Sequence, residues 1–204
     1  MRHLKIAAAV AAAAMALVAL VASGTASAGV LCKNGTTTNA CTEPYEAGTT
    51  LSATLSASSV LTDTSGNKLD TCTGGTLKAS LTSPGGASAL VSASITEQAW
   101  SGCTVTTHTI KPGELTIEYV KGTDNGTVRL KSNEVTVNVF SSCNYGPAAG
   151  SEADIGTLTG AKGATLALNA VLVKTSGGFL CPETVKWTGT YKFSAPESLF
   201  VAAA

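Results

Sequence analysis

Charge is scarce in this sequence. Thirteen basic and thirteen acidic side chains among 204 residues leave a formal net charge of zero. Such a balance sets up no field that would hold a polyanion, which disfavours nucleic acid as a partner. Histidine is scarcer: there are two, and His3 lies in the N-terminal leader, so His108 alone could serve as a base. No Gly-x-Ser-x-Gly elbow accompanies it, which removes the most recognisable route to a serine hydrolase. No Cys-x-x-Cys pair occurs either, and with widely dispersed sulfurs this argues against a zinc site. Aromatic residues make up 5% of the chain. Beyond the leader no segment is apolar enough to cross a membrane as a helix.

The leader itself is well marked. Arg2 and Lys5 precede an apolar run from Ile6 to Ala22, and Ala26-Ser27-Ala28 gives a small-x-small cleavage signature. Residues 1–28 are therefore expected to be a secretory signal peptide and not a retained anchor. Leu31 before the first cysteine, Cys32, suits lipoprotein processing poorly, so no stable membrane anchor is expected after cleavage. Loss of Arg2 and Lys5 leaves eleven basic against thirteen acidic groups, a charge of about −2 that says nothing about partners. The expected location is secreted, extracellular.

What remains is rich in Thr, Ser, Gly, Ala and Val, and it holds six cysteines: Cys32, Cys41, Cys72, Cys103, Cys143 and Cys181. An even number in an oxidising compartment predicts three disulfides. Fifteen connectivities are open, and the spacing favours neighbours: Cys32 with Cys41, Cys72 with Cys103, Cys143 with Cys181.

Alternation of apolar and polar residues marks strand after strand. The clearest runs from Val185, with Trp187, Gly189, Tyr191 and Phe193 on one face and Lys186, Thr188, Thr190 and Lys192 on the other. Similar patterns carry Leu51, Ala53, Leu55 and Ala57; Leu77, Ala79 and Leu81; Val91, Ala93 and Ile95; and Ala164 to Lys174. Leu115, Ile117 and Tyr119, then Val128 and Leu130 across the Asp124-Asn125-Gly126 turn, then Val135, Val137 and Val139, read as an antiparallel meander. Ser141 to Ser151 reads as a loop, and Leu199 with Val201 as a short edge strand. The fold class expected is all-β: residues 29–204 as one secreted antiparallel β-sandwich, immunoglobulin-like or related, stapled by disulfides. Two small stacked sandwiches, divided near 110–125, are the alternative.

Candidate chemistry is thin. His108 falls in a Thr-rich alternating strand, not a loop. Glu114 and Glu118 share a strand face, as a carboxylate pair would, but such pairs are common on solvated faces. Asp63 to Asp70 has oxygen ligands near a Gly turn, without the ligand spacing of an EF-hand and with Lys68 inside it. Trp100, Tyr145, Trp187 and Tyr191 could form a sugar-stacking platform, yet Trp187 and Tyr191 share a face with Val185 and Phe193, which predicts burial. Asn34-Gly35-Thr36 and Asn125-Gly126-Thr127 match the glycosylation pattern, and turn preference accounts for both. No catalytic, cofactor-binding or metal residue is assigned, and no cofactor.

Cys72-Thr73-Gly74-Gly75-Thr76-Leu77, Trp100-Ser101-Gly102-Cys103-Thr104, Ser142-Cys143-Asn144-Tyr145-Gly146 and Phe179-Leu180-Cys181-Pro182 through Tyr191 together resemble a group of uncharacterised secreted six-cysteine proteins of actinobacteria. The resemblance spans most of the chain after the leader. It implies export and supports the neighbour pairing, and it carries no activity. The function expected is that of a non-enzymatic exported protein, a structural or binding module in the extracellular or cell-wall space, in contact with a wall or other extracellular polymer. A carbohydrate-binding module and a secreted hydrolase are the alternatives.

Overall fold

Alternating sequences of this kind form strands whose apolar faces must find cover, and here they find it in one another. The computed structural model describes residues 28–35, 40–139 and 141–204; residues 1–27 of the leader fall outside the described residues. In chain order the strands are β1 (Gly29–Cys32), β2 (Thr50–Asp63), β3 (Lys68–Gly86), β4 (Ala89–Cys103), β5 (Thr107–Lys111), β6 (Glu114–Tyr119) and β7 (Gly126–Lys131). They continue as β8 (Glu134–Asn138), β9 (Ser142–Gly146), β10 (Glu152–Thr159), β11 (Ala161–Lys162), β12 (Thr165–Ser176), β13 (Thr184–Ala195) and β14 (Ser198–Ala203).

The expected sandwich does not form. Eight strands pair antiparallel in the order β2-β3-β4-β6-β7-β10-β12-β13, and β13 pairs again with β2, closing a barrel. Residues on both sides of 110–125 contribute to the ring, so two stacked sandwiches are excluded too. A sandwich and a barrel bury the same alternate residues; what separates them is whether the last strand meets the first. Closure requires coiled strands, and bulges supply the bend. The β13–β2 seam has three register shifts, and β2–β3 and β3–β4 have two each. In β10 the ladder to β7 shifts between Asp154 and Gly156. Gly156 sits there at φ 137°, where a Cβ would meet the Ala167 carbonyl oxygen at 1.9 Å, so only glycine fits.

The barrel is solid. Leu77, Leu115, Leu130, Ile155, Leu158, Leu166, Leu168, Trp187, Tyr191 and Phe193 fill it, and the cavities between them are about 20 Å³ each. Its outer face carries Thr, Ser and charged residues such as Lys78, Glu97, Lys186 and Lys192. A membrane-spanning barrel has the opposite polarity, with an apolar outer band. Among the described residues no helix is long and apolar enough to cross a membrane.

The remaining strands close the two ends. At one end β14 pairs with β1 and β11, and Leu199 reaches in among Leu51, Phe193 and Leu158. The expected edge strand is thus buried: Leu199 and Val201 are fully covered. β1 touches the wall where Gly85, at φ 93°, lets the Gly29 carbonyl approach. At the other end a small sheet β9-β8-β5 branches from β12. The expected meander therefore stops at β7, which pairs onward with β10, while β8 leaves the barrel. The chain turns out at Ser132, a non-glycine residue at φ 57°. Beside it the buried Asn133 donates to the carbonyl oxygens of Lys111 and Pro112 and to Gln98 Oε1.

All three neighbour disulfides are present, Cys32–Cys41, Cys72–Cys103 and Cys143–Cys181. With sequence separations of 9, 31 and 38 they lower unfolded-chain entropy by roughly 2.7, 3.7 and 3.9 kcal/mol on a loop-closure view. Cys143–Cys181 ties β9 to the connection between β12 and β13, while Cys72–Cys103 joins the adjacent barrel strands β3 and β4 beside it.

Candidate functional site

The most polar interior region lies where β5, β8 and β9 cover the barrel. Asp70, near the start of β3, is 3% exposed. Its Oδ1 accepts from the Thr71 N–H at 2.7 Å, the Thr104 N–H at 3.0 Å, the Thr104 hydroxyl at 2.8 Å and the Val105 N–H at 3.2 Å. Its Oδ2 accepts from the Thr107 hydroxyl at 2.6 Å. Each carboxylate oxygen offers about two lone-pair sites, so the four donors saturate Oδ1, while Oδ2 holds the Thr107 hydroxyl. What they fix is residues 104–107, the crossing from the barrel strand β4 to the cover strand β5.

Asp70 also lies beside the Sγ atoms of Cys72 and Cys103, the one grouping with ligand-like spacing among the described residues. Those sulfurs are joined to each other and offer no thiolate. The residues present therefore do not fit a metal ion.

Trp187 and Trp100 pack at 4.7 Å between ring centroids, tilted by 54°. The Trp187 indole N–H donates to the buried Ser59 hydroxyl, and that of Trp100 to Thr109 Oγ1 at 3.3 Å. Gly189 of β13 lies against Ser59 of β2, which lets these strands come close. Between the rings, Asp70, Thr107 and Tyr145 is a cavity of about 30 Å³, room for a single water. The Tyr145 hydroxyl is buried without a partner, and burial, with a smaller push from the Glu183 carboxylate, raises its pKa to about 12. Burial raises Tyr191 further.

The residues singled out from sequence are scattered. His108 stands exposed on β5 opposite Thr136, with no acid or nucleophile bonded to it. Glu118 pairs with Arg129 at 2.8 Å, and Glu114 is exposed opposite Lys131. Asp63 caps its own turn, accepting from the Ser65 and Asn67 N–H groups and the Asn67 amide; the Asn67 side chain, foremost, holds its carboxyl below the usual range. Asp70, at the other end of that segment, faces the interior, so no oxygen cage forms between them. Tyr145, Trp187 and Tyr191 are buried, which removes the sugar-stacking platform. Asn125 Oδ1 accepts from the Gly160 N–H, so this side chain holds a corner of the chain. Sequence reasoning missed the role of Asp70; the signal was Thr104, Thr106 and Thr107 clustered one bridge away from it.

The molecule is by its fold a disulfide-stapled, closed antiparallel barrel with a packed interior. Comparison with protein-family models, with curated proteins and with solved structures finds no match. The resemblance to secreted six-cysteine proteins thus rests on the quoted segments alone.

Proposed function

We propose that the protein is exported and works without catalysis, as a structural or binding module in the extracellular or cell-wall space that engages its partner through the outside of the barrel. The observation that carries this reading is the filled interior, whose cavities of about 20 to 30 Å³ hold at most a water molecule. A carrier barrel needs an enclosed site of some 300 Å³ or more. The dispersal of His108, Glu114 and Glu118 and the engagement of the buried Asp70 in five hydrogen bonds to its own surroundings favour a non-catalytic role. Three disulfides are compatible with an extracellular protein.

The test is fractionation of the natively expressed protein between culture medium and purified cell wall, with intact mass on each fraction. Recovery on the wall at the mass of a chain cut after Ala28 is the expected result. Recovery in the cytoplasm with the leader attached would overturn the reading, and recovery only in the medium would remove the wall from it.

A further inference from the structure

The wall of the barrel has a gap in its hydrogen-bonding at β12. Toward β13 this strand is paired without a break from Thr165 to Val173. On its other side β10 pairs with Thr165–Leu168 and β9 with Val173, Lys174 and Ser176, and residues 169–172 have no strand opposite. The chain between those partners departs from β12, and Glu152, Ala153 and Asp154 pair instead with β7.

The register shows which backbone groups face the gap. The Phe193 N–H donates to the Ala164 carbonyl at 2.8 Å and the Lys174 N–H to that of Glu183 at 2.8 Å. Even-numbered residues of β12 therefore turn their backbone groups toward β13, and the ladder between them has no shift. Odd-numbered residues turn theirs the other way. The last rung to β10, Gly156 with Leu168, uses at most the Asn169 N–H. The Asn169 C=O and both the N–H and the C=O of Val171 are left facing a groove of about 650 Å³ lined by Ala153, Asp154, Thr157 and Ala167. The Val171 side chain is 57% exposed beside it, and Asn169 is exposed.

We infer that this groove takes a short extended polypeptide segment, which pairs with Val171 and Asn169 as an added antiparallel strand. Two acceptors and a donor, spaced for alternate residues, match the edge of an extended chain. The four-residue gap spans about 13 Å, so the match covers only a few residues. Val171 offers an apolar contact for one side chain, and Asp154 at the rim favours a basic one. A glycan would look for an aromatic face, which the groove lacks. This inference rests on the reading of the protein as a binding module and gives that module a site and a ligand class.

The probe is Ac-Lys-Val-Thr-Val-Thr-NH2, titrated into the ¹⁵N-labelled chain from Gly29 to Ala204 with its three disulfides intact. Two analogues, N-methylated at residues 2 and 4 or at residues 1, 3 and 5, remove the donors from one edge of the peptide at a time. Expected are amide shifts confined to residues 153–157 and 167–173, slower exchange of the Val171 N–H, and at least tenfold weaker binding for one analogue while the other keeps its affinity. No shift at millimolar peptide, or equal affinity of the two analogues, would overturn the inference. Val171→Pro removes a donor that β13 does not use and should abolish binding; if it fails to fold, the two analogues still decide. Failure here with wall association intact would discard the groove and keep the binding-module reading.

Discussion

The two ends of the barrel are closed by different means. The end covered by β1, β11 and β14 is held by apolar contact and strand pairing: Leu31, Leu199 and Val201 are fully buried, and the Tyr45 hydroxyl reaches the Ser198 carbonyl. The end covered by β5, β8 and β9 is held by a buried carboxylate, a pair of indoles and the Cys143–Cys181 bridge, with Cys72–Cys103 stapling β3 to β4 at the same rim. Apolar contact tolerates small shifts, whereas the bonds to Asp70 fix residues 104–107 at one position. Neither end opens to the interior, and the gap in hydrogen-bonding at β12 lies toward the stapled end.

The comparison can be sharpened by substitution. Trp187→Ala, which removes one of the two indoles packed beneath the cover, should cost about 4 kcal/mol, read from the urea midpoint at unchanged slope. Replacing Cys143 and Cys181 together by Ser should cost roughly 3.9 kcal/mol and the pair Cys32 and Cys41 roughly 2.7, so that the stapled end loses more. An equal loss at both would break the contrast. Asp70→Asn keeps the shape but weakens charge-assisted bonds, at about 2 kcal/mol. Faster hydrogen exchange should then appear at residues 104–111 and not in β14; exchange rising in both would show that the ends are coupled.

A fourth test is alkaline titration. Tyr145 ionises near 12 in the fold and near 10 in an unfolded chain, so between these values the unfolded state binds fewer protons. Stability should therefore fall as pH climbs from about 10 to 12, and tyrosinate absorbance should stay incomplete until the stapled end opens. A full tyrosinate signal at about pH 11.5 with the fold intact, where a free phenol is almost wholly ionised, would contradict the packing around Tyr145 and Tyr191. The smallest effect is expected at His108, where Ala should change stability by no more than about 0.5 kcal/mol and leave wall association unchanged.

Much of the wall was legible in the sequence because period-2 alternation is local. Val185, Trp187, Tyr191 and Phe193 are buried as the pattern predicts, and so are Leu77, Ala79, Leu81, Val91, Ala93 and Ile95. The neighbour disulfides followed from spacing. β10 stayed hidden because its bulge places Ile155 and Leu158 three apart, which breaks the alternation. β9 was read as a loop because Cys143 and Tyr145 are too few to show a period. The sandwich was expected because no local pattern encodes the meeting of β13 with β2, strands that lie far apart in the chain. The site was hardest to read: a positive φ at Ser132 and a carboxylate bonded to residues 34 to 37 positions away leave no periodic trace.

Closure of the barrel is the central claim, and it is tested most directly at that seam. Cross-strand Hα and amide NOEs should connect Thr62 with Lys186, Leu61 with Trp187 and Val60 with Thr188. Their presence, with β2 also paired to β3 and β13 to β12, is the result a closed barrel predicts. Their absence, with β2 and β13 exchanging as free edges, would contradict it and return the chain to an open pair of sheets.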